Sequence, residues 1–163
     1  MERQLDPARL GDHVDRLYRA AWGLCGSREE AEDLVQETYA RVLARPRFLR
    51  GEDDLAYLVR VLRNTFFNAK RTERRRPRTA AMPDDPQFAE PRSSAQPERS
   101  YEAGEVFDAI AALPEAFRDV VAAVDVCGLS YREAAAALRI REGTVMSRLY
   151  RGRQQLARSL ARA

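Results

Sequence analysis

The chain has 163 residues, 45% hydrophobic and 33% charged, and its 28 Lys+Arg against 25 Asp+Glu leave a formal net charge of +3. That length makes one ordinary domain or two small ones, and no run approaches the ~20 apolar residues that cross a bilayer. No charged-then-apolar leader opens the chain, and two cysteines, Cys25 and Cys127, are too few for a disulfide framework. A membrane protein and a disulfide-stapled secreted module are both disfavoured, and a reducing cytoplasm is expected.

The net charge understates a strong segregation. Lys70 is the chain's single lysine, so the basic residues are almost all arginine, whose planar fork suits phosphates and base edges. Arg60, Arg63, Lys70, Arg71, Arg74, Arg75, Arg76 and Arg78 form one basic stretch, interrupted by Glu73 alone. Arg139, Arg141, Arg148, Arg151, Arg153, Arg158 and Arg162 form another, with Glu142 the single acid. Opposite to both in sign stands an acidic stretch, Glu29, Glu30, Glu32, Asp33 and Glu37. Two basic surfaces and one acidic one imply a polyanionic partner and a separate protein contact.

Every segment with a clear period reads as helix. Asp6 can cap a first helix with Pro7 at its start, and Leu10, Val14, Leu17, Tyr18 and Ala21 make one apolar stripe. Ser27 and Glu30 make a capping box for a second helix that buries Ala31, Leu34, Val35, Val42 and Leu43 and stops at Pro46. Asp53 or Asp54 can cap a third, with Leu55, Leu58, Val59, Leu62 and Phe66 on one face, running into the Lys70–Arg76 cluster. Prolines 77, 83, 86, 91 and 97 then mark a mildly acidic linker over residues 77–99, expected to be extended and flexible.

A second helical unit spans 100–163. Ala103, Val106, Phe107 and Ile110 share a face; a helix begins at Leu113-Pro114, carries Phe117, Val120, Val121 and Val124, and ends at Gly128, a good left-handed cap. Ser130 and Glu133 form a capping box for a short helix to Leu138, and a turn at 139–141 leads into a long helix with Val145, Leu149, Leu156 and Leu160 buried. No β signal competes. The expectation is an all-α protein of two small domains, 1–76 and 100–163, on a flexible tether.

Residues 130–153 have the spacing of a helix-turn-helix, whose second helix enters the major groove, where all four base pairs differ. Its candidate contacts are Arg141, Glu142, Gly143, Thr144, Ser147, Arg148 and Arg151. Arg148 can fork onto guanine, Glu142 can accept from a cytosine amino group, and Thr144 and Ser147 suit phosphates or a thymine methyl. Gly143, costly inside a helix, permits close approach of a backbone. The bland alternative is a helical hairpin with a solvated arginine face.

The third helix interleaves Tyr57, Phe66 and Phe67 with Arg60, Arg63, Asn64 and Asn68, the mixture that holds single strands by stacking and phosphate contact. Asn64 could bond the edge of a base lifted from the stack. Against this, Leu58, Leu62 and Phe66 belong to the core, and a basic helix end also complements the helix dipole. The acidic face of the second helix is likewise what the dipole favours.

Ala31–Thr38, the loop Phe48-Leu49-Arg50-Gly51-Glu52, Arg63–Phe66 with its basic tail, and Gly143–Arg153 stand in one order along nearly the whole chain. In that order they resemble the bacterial extracytoplasmic-function (ECF) sigma factors. The resemblance implies a dissociable subunit of RNA polymerase, with no cofactor or metal, monomeric when free and held in check by an anti-sigma factor. By motif, Asp33, Gln36, Glu37 and Arg41 would meet the clamp helices of the largest core subunit. Phe48, Arg50, Tyr57, Arg60, Arg63, Asn64, Lys70 and Arg71 would melt and capture minus-ten promoter DNA. The second domain would dock on the flap of the other large subunit and read the minus-thirty-five duplex. The linker would thread toward the active-site and RNA-exit channels. Two positions depart from many relatives: Asn68 stands where Asp is common, and Tyr57 where a tryptophan is common. Asn64–Asn68 is nearest the subgroup controlled by zinc-binding, thiol-sensing anti-sigma proteins.

Other classes fit less of the chain. A conventional repressor or response-regulator output domain accounts for the helix-turn-helix but not for the aromatic-basic third helix. An enzyme is not expected: there is one histidine, His13, read as a surface residue, no paired-cysteine motif and no phosphate-binding glycine loop. Cys25 and Cys127 lack zinc spacing and read as buried structural thiols.

Overall fold

Seven α-helices carry the structure, and the computed structural model describes them over residues 1–76 and 97–163, with the backbone alone for 97–102. The linker expected at 77–99 falls almost wholly outside the described residues. In chain order the elements are β1 (Glu2–Gln4), a 3₁₀ segment (Pro7–His13), α1 (Val14–Cys25), α2 (Arg28–Leu43), β2 (Phe48–Arg50) and α3 (Asp54–Arg75). After the linker come α4 (Pro97–Ala111), α5 (Glu115–Val121), a π-helical turn (Ala122–Val126), α6 (Tyr131–Leu138) and α7 (Glu142–Ala161).

The starts and stops follow local chemistry. Asp6 accepts from the Ala8 N–H, yet Pro7 opens a 3₁₀ segment, and α1 begins only at Val14. The Tyr39 hydroxyl donates to the Leu10 carbonyl at 2.7 Å and ties that segment to α2. Ser27 accepts from the Glu30 N–H, which makes one bond of the expected capping box, and Asp53 accepts from the Leu55 N–H at the start of α3. Gly26, with φ +73°, ends α1 in the left-handed region that glycine enters most readily.

In the first domain α1 packs on α2, α2 on α3, and α1 on α3, around Leu17, Ala21, Ala31, Leu34, Leu58 and Leu62. Two residues of the expected stripes lie outside this core. Val14 begins α1 beside the 3₁₀ segment and is exposed, and Leu43 ends α2 in its last half-turn and is exposed. The expectation of no β structure is also corrected: β1 and β2 pair antiparallel, in the register Glu2 to Arg50, Arg3 to Leu49 and Gln4 to Phe48.

The second domain has a smaller core of Val120, Val121, Ala123, Ala134, Ala137, Val145 and Leu149. Val106, expected on the buried face of α4, is exposed. At the end of α5 the helix widens: the Cys127 N–H reaches the Ala122 carbonyl at 3.0 Å before Gly128, φ +75°, closes it. Asp125 in this turn receives both Nε and a terminal nitrogen of Arg153, at 3.0 and 2.6 Å, and so clamps α7. Gly152 lets α7 close on α5, since a Cβ there would stand 3.0 Å from a Val121 methyl.

The two domains pack on one another, α4 against α1 and α6 against α3. Trp22 of α1 stacks on Phe107 of α4 with ring centroids 4.6 Å apart. A Cβ on Gly23 would come within 3.2 Å of Ile110, so the glycine admits α4 there. Across the same seam Arg63 donates to Asp119 at 2.8 Å, Arg118 lies 5.0 Å over the Phe66 ring, and the Cys127 thiol donates to the Arg16 carbonyl at 3.6 Å.

Candidate nucleic-acid and protein interfaces

The helix-turn-helix forms at the expected residues. Both bonds of the Ser130–Glu133 capping box are made, at 2.7 and 3.2 Å, and fix the start of α6. The turn passes through Arg139, which has the left-handed φ of 56°. Arg141 caps α7 by backbone alone, with no side-chain acceptor on the first N–H groups. Those groups remain available to an anion, which the N-terminal end of the dipole also favours. Val145 and Leu149 anchor α7 inward, which leaves Arg141, Glu142, Gly143, Ser147 and Arg151 exposed and Thr144 and Arg148 half-buried. Nothing lies within 4 Å of a Cβ built on Gly143, so its surface is open to a close neighbour. Among the described residues, none of Arg141, Arg148 and Arg151 is held in an ion pair.

α3 is organised differently. Its inner face, Leu55, Leu58, Val59, Leu62 and Phe66, is buried as the period required. Arg60 sits over the Tyr57 ring and pairs with Glu52 at 3.0 Å; Lys70 pairs with Glu73 at 3.5 Å; Arg63 is turned onto Asp119 of α5 and over Phe67. Asn64 and Arg71 are exposed, whereas Tyr57 is buried beneath its arginine.

Two hollows flank Asn64. One, of about 380 Å³, is lined by Arg41, Arg47, Tyr57, Val61, Asn64 and Thr65. The other, of about 480 Å³, lies toward the second domain between Arg63, Asn64, Phe67, Asn68, Arg71 and Glu115. At the edge of the first domain Phe48 and Arg50 of β2 face solvent while Leu49 faces the core. Asp33, Gln36, Glu37 and Arg41 all lie on the exposed face of α2, where Arg41 pairs with Glu37 at 2.6 Å.

Sequence reasoning missed Arg47, Glu52, Glu115, Arg118 and Asp119. Arg47 follows a proline in what reads as a plain turn, Glu52 stands in the loop before α3, and Glu115 reads as an ordinary helix-start charge. Asp119 sits mid-helix among apolar residues, a placement that could have flagged a buried carboxylate awaiting a basic partner. Both thiols are held protonated: burial pushes Cys25 up to about 11 and Cys127 up to about 12. Among the described residues no cluster of His, Cys, Asp and Glu could hold a metal ion.

Sigma-70 region 2 matches residues 10–76, and Sigma-70 region 4 matches residues 103–156. The chain is 34% identical over 146 residues to the ECF RNA polymerase sigma factor EcfG of Rhodopseudomonas palustris, covering 88% of this chain and 78% of that protein. The chain belongs to the ECF sigma factors. It is 38% identical over 154 residues to SigE of Mycolicibacterium smegmatis, covering 92% of this chain and spanning 59% of SigE. Among solved structures it is similar to the sigma factor RpoE of Bartonella quintana bound to the anti-sigma factor NepR. That match has a TM-score of 0.73 and 24% identity over 94% of this chain and 95% of that one. CnrH bound to the cytosolic domain of CnrY follows, with a TM-score of 0.66 and 20% identity over 94% and 86%. Region 2 of this sigma factor holds α1 to α3, and region 4 holds the helix-turn-helix.

Proposed function

We propose that the protein binds core RNA polymerase in the cytoplasm, directs it to a set of promoters and helps open them, without consuming a nucleotide itself. The observation that carries this is the coexistence, on one chain, of an α7 face with unpaired arginines and an α3 face with hollows beside Asn64. The first suits duplex DNA and the second suits separated bases, a pair of tasks that initiation requires together.

Region 4 reads the minus-thirty-five duplex. Arg148 forks onto a guanine edge and Glu142 accepts from cytosine, while Arg141, Thr144, Ser147, Arg151 and the uncapped end of α7 take phosphates. Gly143 lets the helix start approach the DNA backbone. Region 2 then holds the minus-ten strand. An unpaired base enters the Tyr57–Asn64 hollow, where Asn64 bonds its edge, and Phe48, Arg50, Arg60, Arg63, Lys70 and Arg71 track the strand around it. This capture offsets an unstacking cost of a few kcal/mol per flipped base.

Asp33, Gln36, Glu37 and Arg41 form the contact to the clamp helices, and region 4 also meets the flap. An anti-sigma factor is the proposed regulator. The deciding experiment is run-off transcription with core polymerase over a genomic fragment library. Selected fragments should initiate only when this protein is added. Equal transcription without it would overturn the proposal, and a sharp footprint of the isolated protein would point to a conventional repressor instead.

A further inference from the structure

We propose that the N-terminal strand β1, anchored by Arg3, is the positioning element for Phe48–Arg50 and thereby helps set which unpaired base the protein accepts. The inference deepens the function proposed above and rests on it. Phe48 is 62% exposed and the Arg50 side chain 83%, whereas Leu49 between them is 4% exposed. That in-out alternation is what displays Phe48 and Arg50 toward a strand. A slip of one residue would reverse it, burying the two and exposing the leucine.

The register is fixed from the N-terminal side. β1 pairs with β2 residue for residue, and the Leu5 N–H extends the ladder to the Arg47 carbonyl at 2.8 Å. Two strands of three residues do not hold themselves together in water, so the pair needs outside anchors. Leu5 is one, buried at 5% exposure. Arg3 is the other: its guanidinium meets a carboxylate oxygen of Asp54 at 2.5 Å, and the Asp54 side chain is only 5% exposed. A buried carboxylate requires a partner, and Arg3 is the cation that meets it. Asp54 is the first residue of α3, so one ion pair joins β1 to the helix that carries Tyr57, Arg60 and Asn64. On the outer face Glu2 holds Arg50 in line beside Phe48. The loop and the Asn64 hollow are thus placed relative to each other by residues 2–5, none of which stands in either.

The test uses holoenzyme assembled from core RNA polymerase and the full chain on a promoter that the wild-type protein opens. Permanganate reactivity of unpaired thymines reports opening, and a panel of single-base changes across the minus-ten element reports selectivity. Arg3→Ala is expected to open the cognate promoter roughly tenfold more slowly, as misplacement of a reacting surface does, and to flatten the differences across the panel. Arg3→Lys, which keeps the cation, should restore most of both. The double variant Arg3→Ala/Asp54→Asn, which leaves no buried charge unpaired, should behave like Arg3→Ala while melting normally. Core binding should be unchanged throughout. A wild-type base profile in the double variant would overturn the inference, as would a uniform loss that follows weakened core binding. A wild-type protein that opens no promoter would overturn the underlying function, and the unmutated control tells that case apart.

Discussion

α3 and the start of α7 are both rich in basic residues, but those proposed to contact DNA stand in different states. Arg60, Arg63 and Lys70 of α3 are each already matched by an acid, and Arg63 is matched by one from the other domain. Arg141, Arg148 and Arg151 of α7 have no such partner among the described residues. A phosphate approaching α7 meets free cations. One approaching α3 finds Arg71 exposed, but at Arg60, Arg63 and Lys70 it competes with a carboxylate. Arg148 itself lines a hollow of about 300 Å³ with Arg63, Glu115 and Asp119, so the two arginines face one hollow from opposite sides of the seam. The difference teaches that Arg141, Arg148 and Arg151 are available as folded, whereas Arg60, Arg63 and Lys70 become available only when their acids are exchanged.

The sharpest way to break the contrast is Asp119→Ala. Asp119 is 6% exposed and accepts from both Arg63 and Arg118. Removing one side of a buried pair costs about 3–5 kcal/mol; with the Arg63 side chain 28% exposed, about 2–3 kcal/mol of domain packing should be lost. Small-angle scattering should show a larger radius of gyration, and an unchanged radius would place the packing elsewhere. Next, Arg148→Ala should weaken holoenzyme binding to cognate promoters by about 1–3 kcal/mol and relax selectivity at one upstream base pair. Equal loss on every sequence, read by competition binding, would make it a phosphate contact.

The smallest effect sharpens the picture through Cys127, buried at the seam. Its thiol is raised from 9.0 to about 12 by burial, so above about pH 9 the unfolded chain ionises while the folded one stays protonated. Stability from this group is therefore full below pH 9 and declines as pH rises toward 12, by about 1 kcal/mol between pH 8 and 10. Cys25, raised to about 11, adds a decline of its own in either protein, so urea unfolding of wild type against Cys127→Ala should show the wild type falling by about 1 kcal/mol more over that range.

Most of the helices were legible because their signals are local. Asp6, Ser27, Asp53 and the Ser130–Glu133 pair cap where the sequence places them, and the α3 stripe is buried as its period demands. The α7 stripe is buried at Val145 and Leu149, but Leu156 and Leu160, expected with them, are only half-buried toward the end of the helix. Stripe ends were overread: Val14 and Leu43 continue a period past the point where a neighbouring helix covers it. The β1–β2 pair was invisible, since Glu2–Gln4 is polar, three residues long and paired with residues more than forty positions away. Domain packing was equally hidden. Trp22 and Phe107 lie on apolar faces that look the same whether they meet their own domain or the other one, and a mid-helix Asp119 does not announce its arginine. Of the pairings at the candidate site, Arg41–Glu37 and Lys70–Glu73 are within reach of the helix period, whereas Arg63–Asp119 was hidden because it joins segments far apart in the chain.

The stack of Trp22 on Phe107 has a use beyond holding α1 against α4. Trp22 is the chain's sole tryptophan, and the Arg28 guanidinium lies 4.6 Å from its ring centroid. Its indole is therefore a native optical gauge built into the seam, whose emission wavelength and quenching register any separation of the lobes without a label.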